Sequence, residues 1–73
     1  MQQLMEILAS VRPDVDFAHE TALIDDGILE SFDIIALVGE FNEVFGIEID
    51  AADLLPENFN SAKAMWELIE SMR

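Results

Sequence analysis

The sequence predicts an all-α domain: a small four-helix bundle with a long loop between the first and second helices and a short third helix. Three observations predict it. Apolar residues recur at i, i+3, i+4 and i+7 in separate stretches, the spacing that collects them on one side of a helix. The alternating run Ile47-Glu48-Ile49-Asp50 has no second strand to pair with. The 73 residues are 52% hydrophobic and contain no Cys, so one apolar core, without a disulfide or thiolate metal site, must hold residues 1–73 together as one domain. A chain this short buries only roughly 60% of the surface its unfolded form exposes, and well-formed helix packing is the usual way it reaches stability.

The first helix is expected over residues 2–12, with Leu4, Ile7, Leu8 and Val11 as its apolar stripe. Arg12 lies at its C-terminal end, where a cation suits the helix dipole. Pro13 then disfavours helix at Arg12 and ends the run. Residues 13–30 read as a loop, because Asp14, Asp16, Asp25, Asp26 and Gly27 are turn formers. Loops this long in a compact domain are commonly functional, and Phe17, Leu23, Ile24, Ile28 and Leu29 are expected to pin this one to the core.

The second helix is expected over residues 31–45 with Ser31 as its N-cap. Ile34, Leu37, Val38, Phe41, Val44 and Phe45 form its core face, and Gly46 follows as a left-handed terminator. Residues 47–50 form an extended connector. Asp50 is expected to cap a short third helix over 51–55, with Asp53 in its first turn and Pro56 ending it. Asn58, Phe59 and Asn60 form another loop, with Phe59 as a buried anchor. Asn60 or Ser61 caps the last helix, over 61–72, whose apolar face carries Ala62, Met65, Leu68, Ile69 and Met72 with Trp66 beside it.

Sixteen acidic residues face three basic ones, a net charge of −13. Nucleic acid and anionic lipid are poor partners for such a chain, since binding them requires cations to neutralise phosphate. Either a basic protein surface is the partner and the field speeds the encounter, or the acidity serves solubility alone. No apolar stretch is long enough to cross a membrane. Met1-Gln2-Gln3 is not a basic leader, so a cytoplasmic protein is expected. A charge this dense also predicts a monomer.

Few residues offer chemistry of their own. His19 is the one His, and without Cys or a second His it makes a poor transition-metal site, so it reads as an ordinary loop residue. Asp14-Val15-Asp16 resembles the start of a calcium loop, but His19 and Asp25 stand where that loop needs Gly and Glu. No metal site is therefore expected. Around the second helix, at about 100° per residue, Phe32, Ala36, Gly39, Glu40 and Glu43 fall opposite the core face, with Asp33 and Ile35 at its margins. Phe32 is either an exposed contact group or a ring covered by the loop of residues 13–30. Ser31, from its position, either caps the helix or carries function.

The run Asp25-Asp26-Gly27-Ile28-Leu29-Glu30-Ser31-Phe32-Asp33-Ile34-Ile35 resembles the attachment motif of acyl carrier proteins: an acidic loop, then Asp-Ser-Leu opening helix two, then an apolar helix with acids on its exposed face. The run from Glu40 to Ile49 resembles the end of that helix and the loop after it. The likeness covers the whole chain in length and helix order, and its specific motif spans about 25 residues. It implies that Ser31 carries 4'-phosphopantetheine, on which an acyl or aminoacyl group is held as a thioester, and that the chain has no catalytic residues of its own. It implies a phosphopantetheinyl transferase as one partner. Others would be an adenylating ligase, or an acyltransferase or synthase, with a basic docking surface. Glu30, Phe32, Asp33, Ile35, Ala36, Gly39, Glu40 and Glu43 would form the partner-binding face. Physical chemistry agrees: Ser31 lacks an adjacent base, so the transferase must activate it, and a helix N-terminus favours a phosphodiester. There are departures. Glu30 replaces the usual Asp, Phe32 the usual Leu, and Ala36 and Gly39 stand where fatty-acid carriers present bulkier or acidic residues. Glu-Ser-Phe is closer to D-alanyl carriers and other stand-alone carriers served by an adenylating ligase. The alternative is an unmodified acidic interaction module with the same fold.

Overall fold

The computed structural model describes all residues from Met1 to Arg73. It is all-helical, a small bundle of four α-helices in the order α1 (Gln2–Val11), α2 (Ser31–Phe45), α3 (Pro56–Phe59) and α4 (Ala62–Met72), with one 3₁₀ turn at Ala51–Asp53 before α3. Helix α1 packs against α2 and α4, and α3 packs against α4. The apolar stripes meet in one core: Leu4, Ile7 and Leu8 from α1, Leu37 and Phe41 from α2, and Ala62, Met65 and Ile69 from α4. No helix is long and apolar enough to cross a membrane.

The loop of residues 13–30 is pinned as its apolar residues predict. Phe17, Leu23 and Leu29 are buried, and Ile24 and Ile28 pack against the core. The N–H groups of Ile28 and Leu29 both donate to the Leu23 carbonyl, at 2.9 and 3.0 Å. That closes a tight turn, and Gly27 accommodates the reversal at φ +70°. Helix α2 ends on Gly46 at φ 65°, ψ 41°, the left-handed conformation that only glycine adopts at little cost. The Asn42 side chain accepts from Ile49 N–H at 2.8 Å and holds the connector along the helix. Ile47 and Ile49 are buried without any strand pairing.

The structure corrects several boundaries. Ser31 is the first residue of α2, and Glu30, in extended conformation, is the N-cap. The reason is Asp33, whose Oδ2 accepts the Glu30 N–H at 3.0 Å and fixes the helix start one residue earlier. The expected helix over 51–55 is only a 3₁₀ turn, capped by Asp50, which accepts from Ala52 N–H at 2.9 Å. Pro56 opens α3 instead of closing a helix. Proline at the first helical position loses no bond, and it forces Leu55 before it into an extended conformation. Phe59 is the buried anchor expected, but it ends α3 and is not in a loop. Val44 is exposed, not core. Phe45 beside it turns inward instead and packs against the core. The Phe45 ring packs edge-on against Trp66 of α4, centroids 6.0 Å apart. Ser61 is the N-cap of α4, accepting from Ala64 N–H at 3.0 Å.

Candidate functional site

Ser31 stands exposed at the start of α2. The N–H groups of Ser31 and Phe32 have no backbone acceptor within the chain. Free first-turn N–H groups at the positive end of a fifteen-residue helix favour an anion bonded to the Ser31 oxygen.

Beside Ser31 opens a pocket of about 270 Å³. Ile24 of the loop, Ile34 and Ile35 of α2, and Phe59 of α3 form its apolar wall. Leu54, Leu55 and Pro56, around the start of α3, complete its lining. No ionisable side chain lines it, so the pocket offers the serine neither a general base nor a metal ligand. His19 is engaged elsewhere, its Nδ1 lying 2.9 Å from Asp16 Oδ2 on the exposed loop. Toward this pocket, Ser31 thus presents a hydroxyl without an activating base.

The residues expected on the partner face separate into two groups. Glu30, Phe32, Ile35, Gly39, Glu40 and Glu43 are exposed, and Ala36 is half-buried between them. Phe32 is 81% exposed and Ile35 68%, so the loop of residues 13–30 does not cover them. Leu54 and Leu55 are exposed as well, and they line the same pocket as Ile35. Sequence reasoning missed them, because they belong to no periodic stripe. Only their place in one pocket with Ser31 and Ile35 gives them meaning.

Asp33 belongs to the second group, and here the structure corrects the expectation of a docking residue. Its side chain is 13% exposed, and its Oδ2 lies 2.8 Å from Arg12 Nη1. The same guanidinium donates to the Ile28 carbonyl at 3.0 Å. It also grips Asp14 with two bonds, Nε to Oδ1 at 3.0 Å and Nη2 to Oδ2 at 2.9 Å. These bonds hold the Asp14 carboxyl below its ordinary value. Asp14 first and Asp33 second push the Arg12 guanidinium up from its own. Asp33 is spent on anchoring the start of α2, and its charge does not stand on the free face.

Asn60 is a second residue whose role only the fold reveals. Its carbonyl accepts from Leu23 N–H at 2.9 Å, and its Oδ1 accepts from Ile24 and Asp25 N–H at 3.0 and 3.1 Å. It holds the loop against the junction of α3 and α4 and so shapes one wall of the pocket. The comparison with known proteins adds no neighbour: no family model, curated protein or solved structure matches the chain.

Proposed function

We propose that this protein is a carrier module, modified at Ser31 with 4'-phosphopantetheine, that holds an acyl or aminoacyl group as a thioester and delivers it to partner enzymes. The observation that carries the proposal is the setting of Ser31. An exposed, unactivated hydroxyl sits at the N-terminus of the longest helix, beside an apolar pocket and among exposed Phe32, Ile35, Leu54 and Leu55. The resemblance of residues 25–35 to the attachment motif of acyl carrier proteins supports the same assignment.

The residues present fit such a group. In attachment, the Ser31 oxygen would form a bond to phosphorus of the coenzyme A pyrophosphate. The pyrophosphate P–O bond would break, and adenosine bisphosphate would leave. The serine proton would pass to a base of the transferase, since no ionisable side chain lines the pocket at Ser31. The added arm ends in a thiol, the function that this Cys-free chain lacks. The free N–H groups of Ser31 and Phe32 would then face the phosphodiester. Glu40 and Glu43, exposed and without ion-pair partners, would draw a basic transferase and a basic ligase or synthase to α2.

The pocket bears on the cargo. At about 270 Å³ it lies just below the small end of ordinary ligand pockets, roughly 300 Å³. Its lining carries no carboxylate to pair an ammonium. A short uncharged acyl group suits it, and the amine of an aminoacyl group would stay at the rim in water.

The exposed apolar patch also favours a second reading, an interaction module that binds a protein without being modified. One experiment separates the two. The intact mass is measured after incubation with coenzyme A and a broad-specificity phosphopantetheinyl transferase, with Ser31→Ala as control. A gain of one phosphopantetheine, absent in the control, is expected. No gain, with a known carrier modified alongside, would leave the interaction module.

A further inference from the structure

We infer that Arg12 is a positioning residue for Ser31: one guanidinium fastens the end of α1 to the start of α2 and so sets where the Ser31 hydroxyl stands. This inference rests on the carrier reading for its consequence in transfer, but its geometric content can be tested apart from it.

The chain reaches Ser31 from a loop. Its last loop-internal backbone bond is Leu29 N–H to Leu23 carbonyl. From that same peptide group to the first helical turn, two side-chain contacts steer the backbone. Arg12 Nη1 holds the Ile28 carbonyl at 3.0 Å, and Asp33 Oδ2 holds the Glu30 N–H at 3.0 Å. Arg12 makes the first contact directly. It supports the second as well, since its Nη1 lies 2.8 Å from the same Asp33 oxygen. Arg12 is itself fixed, because Asp14 takes its remaining face with two bonds and Pro13 restricts its backbone. Of the three basic residues, it alone forms an ion pair between elements far apart in sequence. Arg73 reaches only Glu70 and the Phe45 ring, and Lys63 has no acidic partner within 4 Å.

Loss of the cation would leave Asp33 as a charge with little exposure, close to Glu30, and would free the Ile28 carbonyl. The core stripe of α1 ends at Val11 and does not depend on Arg12. The helix start should therefore loosen while the bundle persists. A reacting hydroxyl displaced by about 1 Å can cost a hundredfold in rate, because orientation supplies much of the acceleration.

The experiment compares wild type with Arg12→Gln, Arg12→Lys and Asp33→Asn. Asp33→Asn keeps an acceptor for Glu30 N–H while removing the charge. Two readouts are taken under conditions where each variant is folded. The first is kcat and KM for transfer to Ser31. The second is amide exchange at Glu30 and Ile34, with Leu8 and Met65 as references. The expected result is a kcat about tenfold lower in Arg12→Gln with KM within twofold, and partial rescue in Arg12→Lys. Glu30 and Ile34 exchange should quicken while Leu8 and Met65 keep their protection. A merely stabilising role would quicken all four amides and leave kcat of the folded protein unchanged, and that result overturns the inference. If wild type accepts no phosphopantetheine, the carrier reading fails, and exchange at Glu30 and Ile34 alone decides whether Arg12 sets the helix start. If Arg12→Gln does not fold, Asp33→Asn and Arg12→Lys carry both readouts.

Discussion

Phe32→Ala separates folding from docking at one residue. The ring is 81% exposed. A phenylalanine side chain presents about 200 Å², so about 160 Å² of it meets water. Truncation removes almost no buried surface, and surface changes of this kind stay within about 0.5 kcal/mol. Alanine's better helix propensity should offset what little packing is lost. Binding is a different matter. A partner that covers half of the exposed ring removes about 80 Å² from water, about 2 kcal/mol at roughly 25 cal/mol per Å². That is roughly thirtyfold in Kd. Stability is read from urea unfolding followed by Trp66 fluorescence, since Trp66 packs against Phe45 and is the one Trp. Affinity is read by calorimetric titration with the phosphopantetheinyl transferase. A loss of more than about 1 kcal/mol in stability would mean that the ring is covered in the free protein. An unchanged Kd would remove Phe32 from the contact surface.

Other substitutions test the remaining parts of the argument. Gly39 lies inside α2 with nothing within 4 Å of an added Cβ, so Gly39→Ala should raise stability by about 0.5–1 kcal/mol. Gly46→Ala should lower it by about 1–2 kcal/mol, because φ is +65° there; both are read from urea midpoints. Phe59→Ala empties an anchor that is 1% exposed and should cost about 3–5 kcal/mol. The total expected for a chain of this length is only roughly 4–11 kcal/mol, so chemical denaturation should show a largely lost or much earlier transition. Glu40→Lys and Glu43→Lys should keep the helical circular dichroism while slowing association with a basic partner at low salt. Acid should weaken the fold partly through Asp14. Its folded value is depressed, so its contribution is fully present above the ordinary 3.8 and is lost as pH falls through the lower folded value. The stability difference between wild type and Asp14→Asn should shrink over that interval, and a pH-independent difference would refute the pairing.

Much of this architecture is local and therefore legible in the chain. Leu4, Ile7 and Leu8 lie on one face of α1 because the helical period puts them there. Gly46 and Ser61 end and begin helices because their backbone and hydroxyl suit those positions, whatever the neighbours. The same periodicity places Phe32, Ile35, Glu40 and Glu43 away from the core stripe. Ser31 could be singled out because a serine at the head of an apolar helix after an acidic loop is a pattern of adjacent residues. Local chemistry misplaced the third helix because Pro56 either opens or closes a helix, and the packing of Phe59 in the core selects the first. What tertiary structure alone decided involves partners distant in sequence. Asp33 faces Arg12 across 21 positions and Asn60 faces Ile24 across 36, and no period or motif marks either pair. Leu54 and Leu55 read as the end of a short helix until the chain folds back and sets them in one pocket with Ile35. Side-chain period and capping preference act within a turn or two. Ion pairs and pocket walls depend on loop paths that only the closing of the whole core determines.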